Sequence, residues 1–164
     1  MGQRGVGKTT LIRQIAQSYN LPQSKILYIS ADNIADTLSN IAKEFSAFGG
    51  KLLIIDEIHK ATDFALELKS IYDFLDIKVI FSGSSALEIE NSKVDLSRRV
   101  LFYELHSLSF REFLGIKFGL DIPIFDLTEL LANHQDITAE LKNNFRPLEY
   151  FGMYREFGAY PFYT

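Results

Sequence analysis

The sequence predicts an α/β domain with three layers, in which a parallel β-sheet lies between helices on both of its faces. Short runs of consecutive aliphatic residues are typical of strands in such a sheet, because both faces of the strand are covered. Stretches with apolar residues at helical spacing lie between these runs. This alternation of strands and helices indicates right-handed crossover connections and therefore a layered parallel sheet.

The composition limits the class of protein. The chain has 164 residues, of which 47% are apolar and 23% are charged, as in one globular domain with a sizeable core. Its net charge is −4 without a block of like charges, so the overall charge gives no support to nucleic-acid binding. Cysteine is absent, which excludes disulfides and thiolate metal sites. No apolar run approaches the roughly 18 residues of a membrane span, so we expect a cytoplasmic protein without a membrane partner.

Residues 2–9 carry the pattern Gly-x-x-x-x-Gly-Lys-Thr, which is the phosphate-binding P-loop, or Walker A motif. The backbone N–H groups of such a loop point inward around a polyphosphate, through backbone angles that are open mainly to glycine. Lys8 adds a positive charge for the β- and γ-phosphates, and the Thr9 hydroxyl is a ligand for Mg²⁺. A glycine-rich turn without this function is the alternative. The predicted phosphate-binding residues are Gly2, Gln3, Arg4, Gly5, Val6, Gly7, Lys8, Thr9 and Thr10.

The loop leads into a predicted helix over residues 10–19, with Leu11, Ile15 and Tyr19 on one face and its positive N-terminus toward the anion. A P-loop normally follows a buried strand, yet only Met1 precedes it here. We therefore expect the sheet to lack its first strand. Either the chain is a fragment, which we favour, or another segment fills the gap.

A second pattern follows in residues 51–57, where four consecutive aliphatic residues are followed by Asp56 and Glu57. These residues predict a buried strand with two carboxylates at its C-terminal end, where ligands bind in open α/β sheets. This is the Walker B pattern: Asp56 would hold Mg²⁺ and Glu57 would polarise the attacking water as general base. The alternative is that the pair caps the next helix. His59 lacks partners at ligand spacing and is not predicted to bind metal.

Residues 78–85 predict a third buried strand that ends in small polar residues. A hydroxyl at this position can reach the γ-phosphate or the attacking water, which is the sensor 1 role in ATPases of this kind. Ser82 is the first candidate and Ser84 the second. Alternatively, the serines only form a turn and cap a helix at Ala86.

Arg98 and Arg99 precede a further predicted strand over residues 100–105. Arginine can stabilise charge that develops on a transferring phosphoryl group, in its own subunit or in a neighbouring one. Two ordinary surface arginines are the alternative.

The C-terminal part is predicted to be helical. Ser109 and Glu112 form the pattern of a capping box at a helix start. Further helices are expected after Pro123, and the last twenty residues are rich in Phe and Tyr, which is more typical of a core or an interface than of a cofactor site.

Taken in order, four stretches resemble one family: the P-loop, Leu-Leu-Ile-Ile-Asp-Glu-Ile-His, Val-Ile-Phe-Ser-Gly-Ser-Ser, and Ser-Arg-Arg-Val followed by Leu-Ser-Phe-Arg-Glu-Phe. The family is the AAA-type P-loop ATPase domain of prokaryotic proteins that usually carry a C-terminal domain of uncharacterised function. The resemblance implies ATP and Mg²⁺ as ligands, the sensor position for Ser82, and the family arginine for Arg99. Arg98 stands where the family commonly has glycine. By this resemblance, residues 1–114 are the ATPase core and residues 115–164 a helical, aromatic-rich extension.

The expected function is therefore Mg²⁺-dependent ATP binding and hydrolysis, with Glu57, Lys8, Ser82 and Arg99 as catalytic residues and Thr9 and Asp56 as metal ligands. No Asn-Lys-x-Asp motif for a guanine base is present. Two alternatives stay open: a nucleotide-gated interaction module with little or no hydrolysis, and a truncated fragment that binds nucleotide poorly. The expected partner is the nucleotide, while a homo-oligomer and a missing C-terminal domain are left open.

Overall fold

The computed structural model describes residues 1–84, 96–158 and 160–163. The chain forms two compact units, Met1–His106 and Ser107–Thr164. The first unit holds a parallel sheet with its helices, and the second is helical. The helix that begins at Phe110, which the sequence placed in the ATPase core, lies in the second unit; the domain boundary after residue 114 stays a prediction.

The sheet of the first unit has three parallel strands in the order β1-β2-β3. The strands are β1 (Ile26–Ser30), β2 (Leu52–Asp56) and β3 (Lys78–Phe81). Every residue of the central strand β2 is buried, which explains its unbroken aliphatic run. In the register of β1 and β2, Ser30 lies opposite Asp56, so the acidic end of β2 is flanked by the end of β1.

Helices cover both faces of this sheet. They are α1 (Lys8–Ser18), α2 (Leu38–Ala47) and α3 (Phe64–Phe74). Alternate residues of a strand point to opposite faces. Leu52 and Ile54 accordingly pack with Ile12 and Ala16 of α1, whereas Leu53 and Ile55 belong to the core that contains α2 and α3. This arrangement confirms the predicted α/β fold class of a P-loop NTPase.

The buried residues of α1 are not those of the predicted apolar face. Lys8, Ile12 and Ala16 are buried, while Leu11, Ile15 and Tyr19 are 36–39% exposed. The three exposed side chains do share a face, but this face lines a groove of about 620 Å³ beside β3 instead of the core. The apolar spacing thus predicted a real face, and the structure shows that this face lines the groove.

Residues 100–105 form the other wall of this groove and are not a strand in the structure, contrary to the prediction. The Met1 amine donates to the Tyr103 carbonyl, the Met1 carbonyl accepts from the Leu105 N–H at 2.7 Å, and the Val100 N–H donates to the Leu96 carbonyl at 3.3 Å. A strand needs successive ladder bonds, and one bridging residue does not supply them.

The second unit contains α4 (Phe110–Phe118), α5 (Leu127–Asn144) and α6 (Pro147–Met153), followed by a π-helical turn over Tyr154–Gly158. Phe113, fully buried, is at the centre of its aromatic core, and the Tyr154 hydroxyl donates to the Leu108 carbonyl at 2.6 Å. The predicted capping box of Ser109 and Glu112 is confirmed. Within the described ranges, no helix combines the length and the hydropathy that a bilayer crossing requires.

Candidate nucleotide site

The P-loop adopts the backbone that its glycines permit. Gly5 and Gly7 have φ angles of 87° and 97°, in the left-handed region that favours glycine. A side chain at Gly2 would collide with the Leu105 carbonyl, so this position also needs glycine. Gly7 is the N-cap of α1, which begins at Lys8. The loop therefore leads directly into the N-terminus of a helix, which is the usual geometry of an anion-binding site.

Lys8, the lysine of the loop motif, is only 7% exposed. Its Nζ donates a hydrogen bond of 2.9 Å to the Gln3 carbonyl, so the side chain folds back over its own loop. An ammonium group has three N–H donors, and this contact uses one of them. Lys8 thus places its ammonium group beside the backbone of the loop.

The P-loop and the end of β2 meet at a single hydrogen bond. Thr9 Oγ1 donates to Asp56 Oδ2 at 2.7 Å, although the two residues are 47 positions apart. This contact joins the two sequence motifs that were predicted to share a triphosphate. It also brings both predicted metal ligands together.

Asp56 is 5% exposed and accepts three further hydrogen bonds. The Tyr28 hydroxyl donates to Oδ2 at 2.8 Å, the Ser82 hydroxyl donates to Oδ1, and the Glu57 N–H donates to Oδ1 at 3.1 Å. Burial acts against the ionised carboxylate, but the hydrogen bonds from Ser82, Thr9 and Tyr28 outweigh it and hold the pKa of Asp56 below its ordinary value. The carboxylate is therefore ready to bind a cation at neutral pH.

Burial, followed by the hydrogen bond to Asp56, raises the pKa of the Tyr28 phenol. Arg13 of α1 lies over the Tyr28 ring, with its guanidinium carbon 4.9 Å from the ring centre. The phenol therefore stays protonated as a donor to Asp56. Sequence reasoning did not select Tyr28; its position near the C-terminal end of β1, beside the acidic end of β2, was the available signal.

Glu57 lies just beyond β2, with φ 53° and ψ 42°. This left-handed backbone is unfavourable for a residue with a side chain, and it turns the Glu57 carboxylate out of the strand direction. The carboxylate accepts from the Ser84 hydroxyl at 3.0 Å and lies 3.4 Å from His59 Nδ1. The predicted general base is thus contacted by two side chains, one of which is His59.

The two serines after β3 contact different carboxylates. Ser82 is 3% exposed and bonds to Asp56, whereas Ser84 bonds to Glu57. Ser82 was the first candidate for the sensor role, and that assignment stays a prediction. The helix predicted to start at Ala86 lies outside the described residues.

The two arginines also differ. Arg99 makes a paired contact with Asp73 of α3, from Nε to Oδ1 at 3.0 Å and from Nη2 to Oδ2 at 3.1 Å. Arg98 is exposed and has φ 65°. The catalytic role of Arg99 stays a prediction, and the structure gives its guanidinium a carboxylate partner from the helix that packs on the same sheet.

The residues at the loop fit a magnesium ion that is also held by a nucleotide. Mg²⁺ prefers oxygen ligands and typically takes one or two from the protein, with water and phosphate oxygens filling the rest. Thr9 and Asp56 supply a hydroxyl and an ionised carboxylate in contact with each other. In the part of the chain that the structure describes, no cluster of three or more His, Cys, Asp or Glu residues offers an all-protein metal site.

Comparison with known proteins agrees with this geometry. The AAA domain family matches residues 1–114. The chain belongs to the AAA domain family. An uncharacterised protein of Methanocaldococcus jannaschii is 33% identical to it over 147 residues, covering 82% of this chain and 31% of the archaeal protein. The chain thus spans about a third of the length of the archaeal protein. Its residues 1–114 are an AAA-type P-loop nucleotide-binding module.

Proposed function

We propose that this AAA-type module binds ATP with Mg²⁺ and hydrolyses the bond between the β- and γ-phosphates. The observation that carries the proposal is the hydrogen bond from Thr9 to Asp56, which unites the phosphate loop with the acidic end of the central strand. Family membership supports ATPase-like nucleotide binding in general. The hydrolytic step is inferred from the side chains themselves.

Binding would rest on the loop and on Lys8. The amides around Gly5 and Gly7 and the N-terminus of α1 surround the phosphates, and Lys8 balances their charge. Thr9 and Asp56 would hold the magnesium ion, which withdraws charge from the phosphate oxygens when it is bound. Each of these groups is preorganised, so little ordering is left to binding.

Hydrolysis would use Glu57 as general base. Its carboxylate takes a proton from a water molecule as the water oxygen bonds to the γ-phosphorus. The bond from that phosphorus to the bridging oxygen breaks, and the bridging oxygen leaves on ADP with the electron pair. Lys8 offsets the negative charge that builds up on the phosphate oxygens. Arg99 would add to this effect in its own or a neighbouring subunit.

The test separates binding from turnover. Glu57→Gln should bind Mg-ATP within about twofold of the parent protein, yet lower turnover by about 100-fold or more, the usual range for loss of a general base. Glu44→Gln on the exposed side of α2 is the matched control and should change neither quantity. Unchanged turnover in Glu57→Gln would remove Glu57 from the mechanism.

The P-loop role is tested by Lys8→Ala. This change should weaken ATP binding by about 10–100-fold, because charged hydrogen bonds contribute about 1.5–3 kcal/mol each. Lys43→Ala, an exposed lysine on α2, is the control. Equal affinity of the Lys8 variant and the parent protein would count against the phosphate site.

A second function is favoured by one observation: Glu57 is already engaged by Ser84 and His59. A base held in this way suits a module in which ATP sets a conformation and hydrolysis is slow. Single-turnover kinetics distinguish the two functions, since a conformational module would bind ATP at full occupancy and convert it far more slowly than the exchange of nucleotide.

A further inference from the structure

Glu57, His59 and Ser84 form a closed cluster at the ends of β2 and β3. The Ser84 hydroxyl donates to Glu57 Oε2 at 3.0 Å and lies 3.4 Å from His59 Nε2. The Ser84 N–H points to His59 Nδ1, also at 3.4 Å. His59 therefore has polar contacts at both of its ring nitrogens.

Nδ1 also lies 3.4 Å from Glu57 Oε2, and one protonation state of the ring satisfies both contacts with Ser84. Nδ1 must carry a lone pair to accept the Ser84 N–H, so a neutral ring carries its proton on Nε2. Nε2–H then donates to the Ser84 hydroxyl, which donates in turn to Glu57. The result is a short chain of donors from His59 through Ser84 to the carboxylate. Both contacts of the ring with Ser84 are long, at 3.4 Å.

The surrounding backbone fixes this cluster in place. The side chain of His59 is 11% exposed. It belongs to a 3₁₀ turn over Ile58–Lys60, whose first N–H donates to the Ser82 carbonyl at 2.8 Å. The turn that carries His59 is thereby tied to the strand end that carries Ser84.

The cluster does not have the geometry of a serine nucleophile. In a Ser-His-acid triad the acid contacts the ring nitrogen remote from the serine, and the histidine separates the two. Here Glu57 Oε2 does lie 3.4 Å from Nδ1, the ring nitrogen remote from the Ser84 hydroxyl, but the hydroxyl also contacts the same carboxylate directly at 3.0 Å. The serine hydroxyl is thus committed to the carboxylate, which favours an orienting role over nucleophilic attack.

We propose that His59 is a positioning residue for Glu57, acting through Ser84 to fix the direction of the carboxylate that receives the proton of the attacking water. This inference rests on the proposed function, because it assigns His59 a purpose only if Glu57 is the base. His59 itself does not touch the reacting atoms. Its contribution should therefore appear in kcat and not in nucleotide affinity.

The kinetic test compares three substitutions. His59→Ala should lower kcat roughly tenfold, as is typical for partners that orient an active-site ligand, with KM for Mg-ATP within about twofold. His59→Gln places an amide donor near the position of Nε2 and should restore part of the loss. His134→Ala, at an exposed position on α5, is the control and should match the parent protein.

A double substitution tests whether His59 affects turnover through Glu57. If His59 acts through Glu57, the variant with both His59→Ala and Glu57→Gln should turn over no more slowly than Glu57→Gln alone. Additive losses would show an independent action and overturn the proposal. A rise in kcat for His59→Ala would also overturn it, since the cluster would then restrain Glu57.

A spectroscopic readout does not depend on turnover. Nitrogen-15 NMR of the ligand-free protein should show His59 with its proton on Nε2, and Ser84→Ala should shift that signal while Ser84→Thr, which keeps the hydroxyl, shifts it less. A proton on Nδ1 would overturn the arrangement. If the protein lacks hydrolysis altogether, or Glu57→Gln is fully active, the proposed function fails while this readout still tests the cluster.

Discussion

Thr9 Oγ1 and Asp56 Oδ2 lie 2.7 Å apart and share a hydrogen bond between the start of α1 and the end of β2. The two residues that we propose as magnesium ligands are therefore already in contact with each other. The chain does not have to bring them together on binding, because the buried strand and the loop already fix both. Single substitutions at this contact therefore test whether nucleotide affinity depends on Mg²⁺.

Asp56→Asn should weaken binding only when Mg²⁺ is present. The amide keeps the size of the side chain but loses the charge that attracts the ion. We expect affinity for Mg-ATP to fall by at least about tenfold, or 1.4 kcal/mol. Affinity for ATP in excess EDTA should stay within about twofold. Calorimetric titration with and without Mg²⁺ measures both, and an equal loss in the two conditions would contradict the metal role.

Tyr28→Phe should destabilise the first unit and raise the pKa of Asp56, because one of the hydrogen bonds to the ionised carboxylate is lost. The expected loss at neutral pH is about 1 kcal/mol of unfolding free energy. A carboxyl with a lowered folded pKa stabilises above its unfolded pKa of about 3.9 and loses this effect as the pH falls through the folded value. The difference between variant and parent should therefore shrink below about pH 4.

Denaturant unfolding at pH 7 and pH 3 measures the Tyr28 effect. Tyr72→Phe is the matched control, since Tyr72 is 59% exposed and should change stability little. A difference that persists unchanged at low pH would mean that the hydroxyl acts by packing and not through the Asp56 charge.

Arg98→Gly should stabilise the chain. Arg98 has φ 65°, and a left-handed backbone costs an ordinary residue about 1–2 kcal/mol, partly offset by the greater entropy that glycine loses on folding. The net gain is expected to be about 0.5–1 kcal/mol. Arg99→Gly serves as the control, because it removes the contact with Asp73 and should not stabilise. A melting temperature that falls in Arg98→Gly would show that its side chain outweighs the backbone strain.

Ser109→Ala should destabilise the second unit by about 1 kcal/mol, the usual effect of removing an N-cap. The Ser109 hydroxyl accepts from the Glu112 N–H at 3.2 Å and donates to the Glu112 carboxylate at 2.7 Å. Ser109→Thr keeps the hydroxyl that makes both hydrogen bonds and should retain most of the stability. Thermal unfolding of the three proteins tests the prediction, and equal losses for Ala and Thr would refute the capping account.

The strands and the two motifs could be predicted because the residues that define them are local. Four aliphatic residues in succession specify β2, and the spacing of Gly5, Gly7 and Lys8 specifies the loop. The Ser109 and Glu112 pair was equally clear, because its hydrogen bonds span a single turn. Local patterns of this kind survive folding unchanged.

The sequence was least informative where the environment of a residue or an element depends on residues far away in the chain. The spacing of Leu11, Ile15 and Tyr19 predicts an apolar face, but a sequence pattern does not say whether a core or a groove covers it. Residues 100–105 have the composition of a strand, yet a ladder also needs a partner along its length. His59 became informative only when folding placed it beside Ser84, which lies 25 residues away.

The strand β3 is hydrogen-bonded to a strand on one side only, within the part of the chain that the structure describes. Its end carries Ser82 and Ser84, which separately contact the two acidic residues of the site. Amide exchange should therefore be faster at β3 than at β2. Any displacement of this strand end would therefore alter the surroundings of Asp56 and Glu57 at the same time.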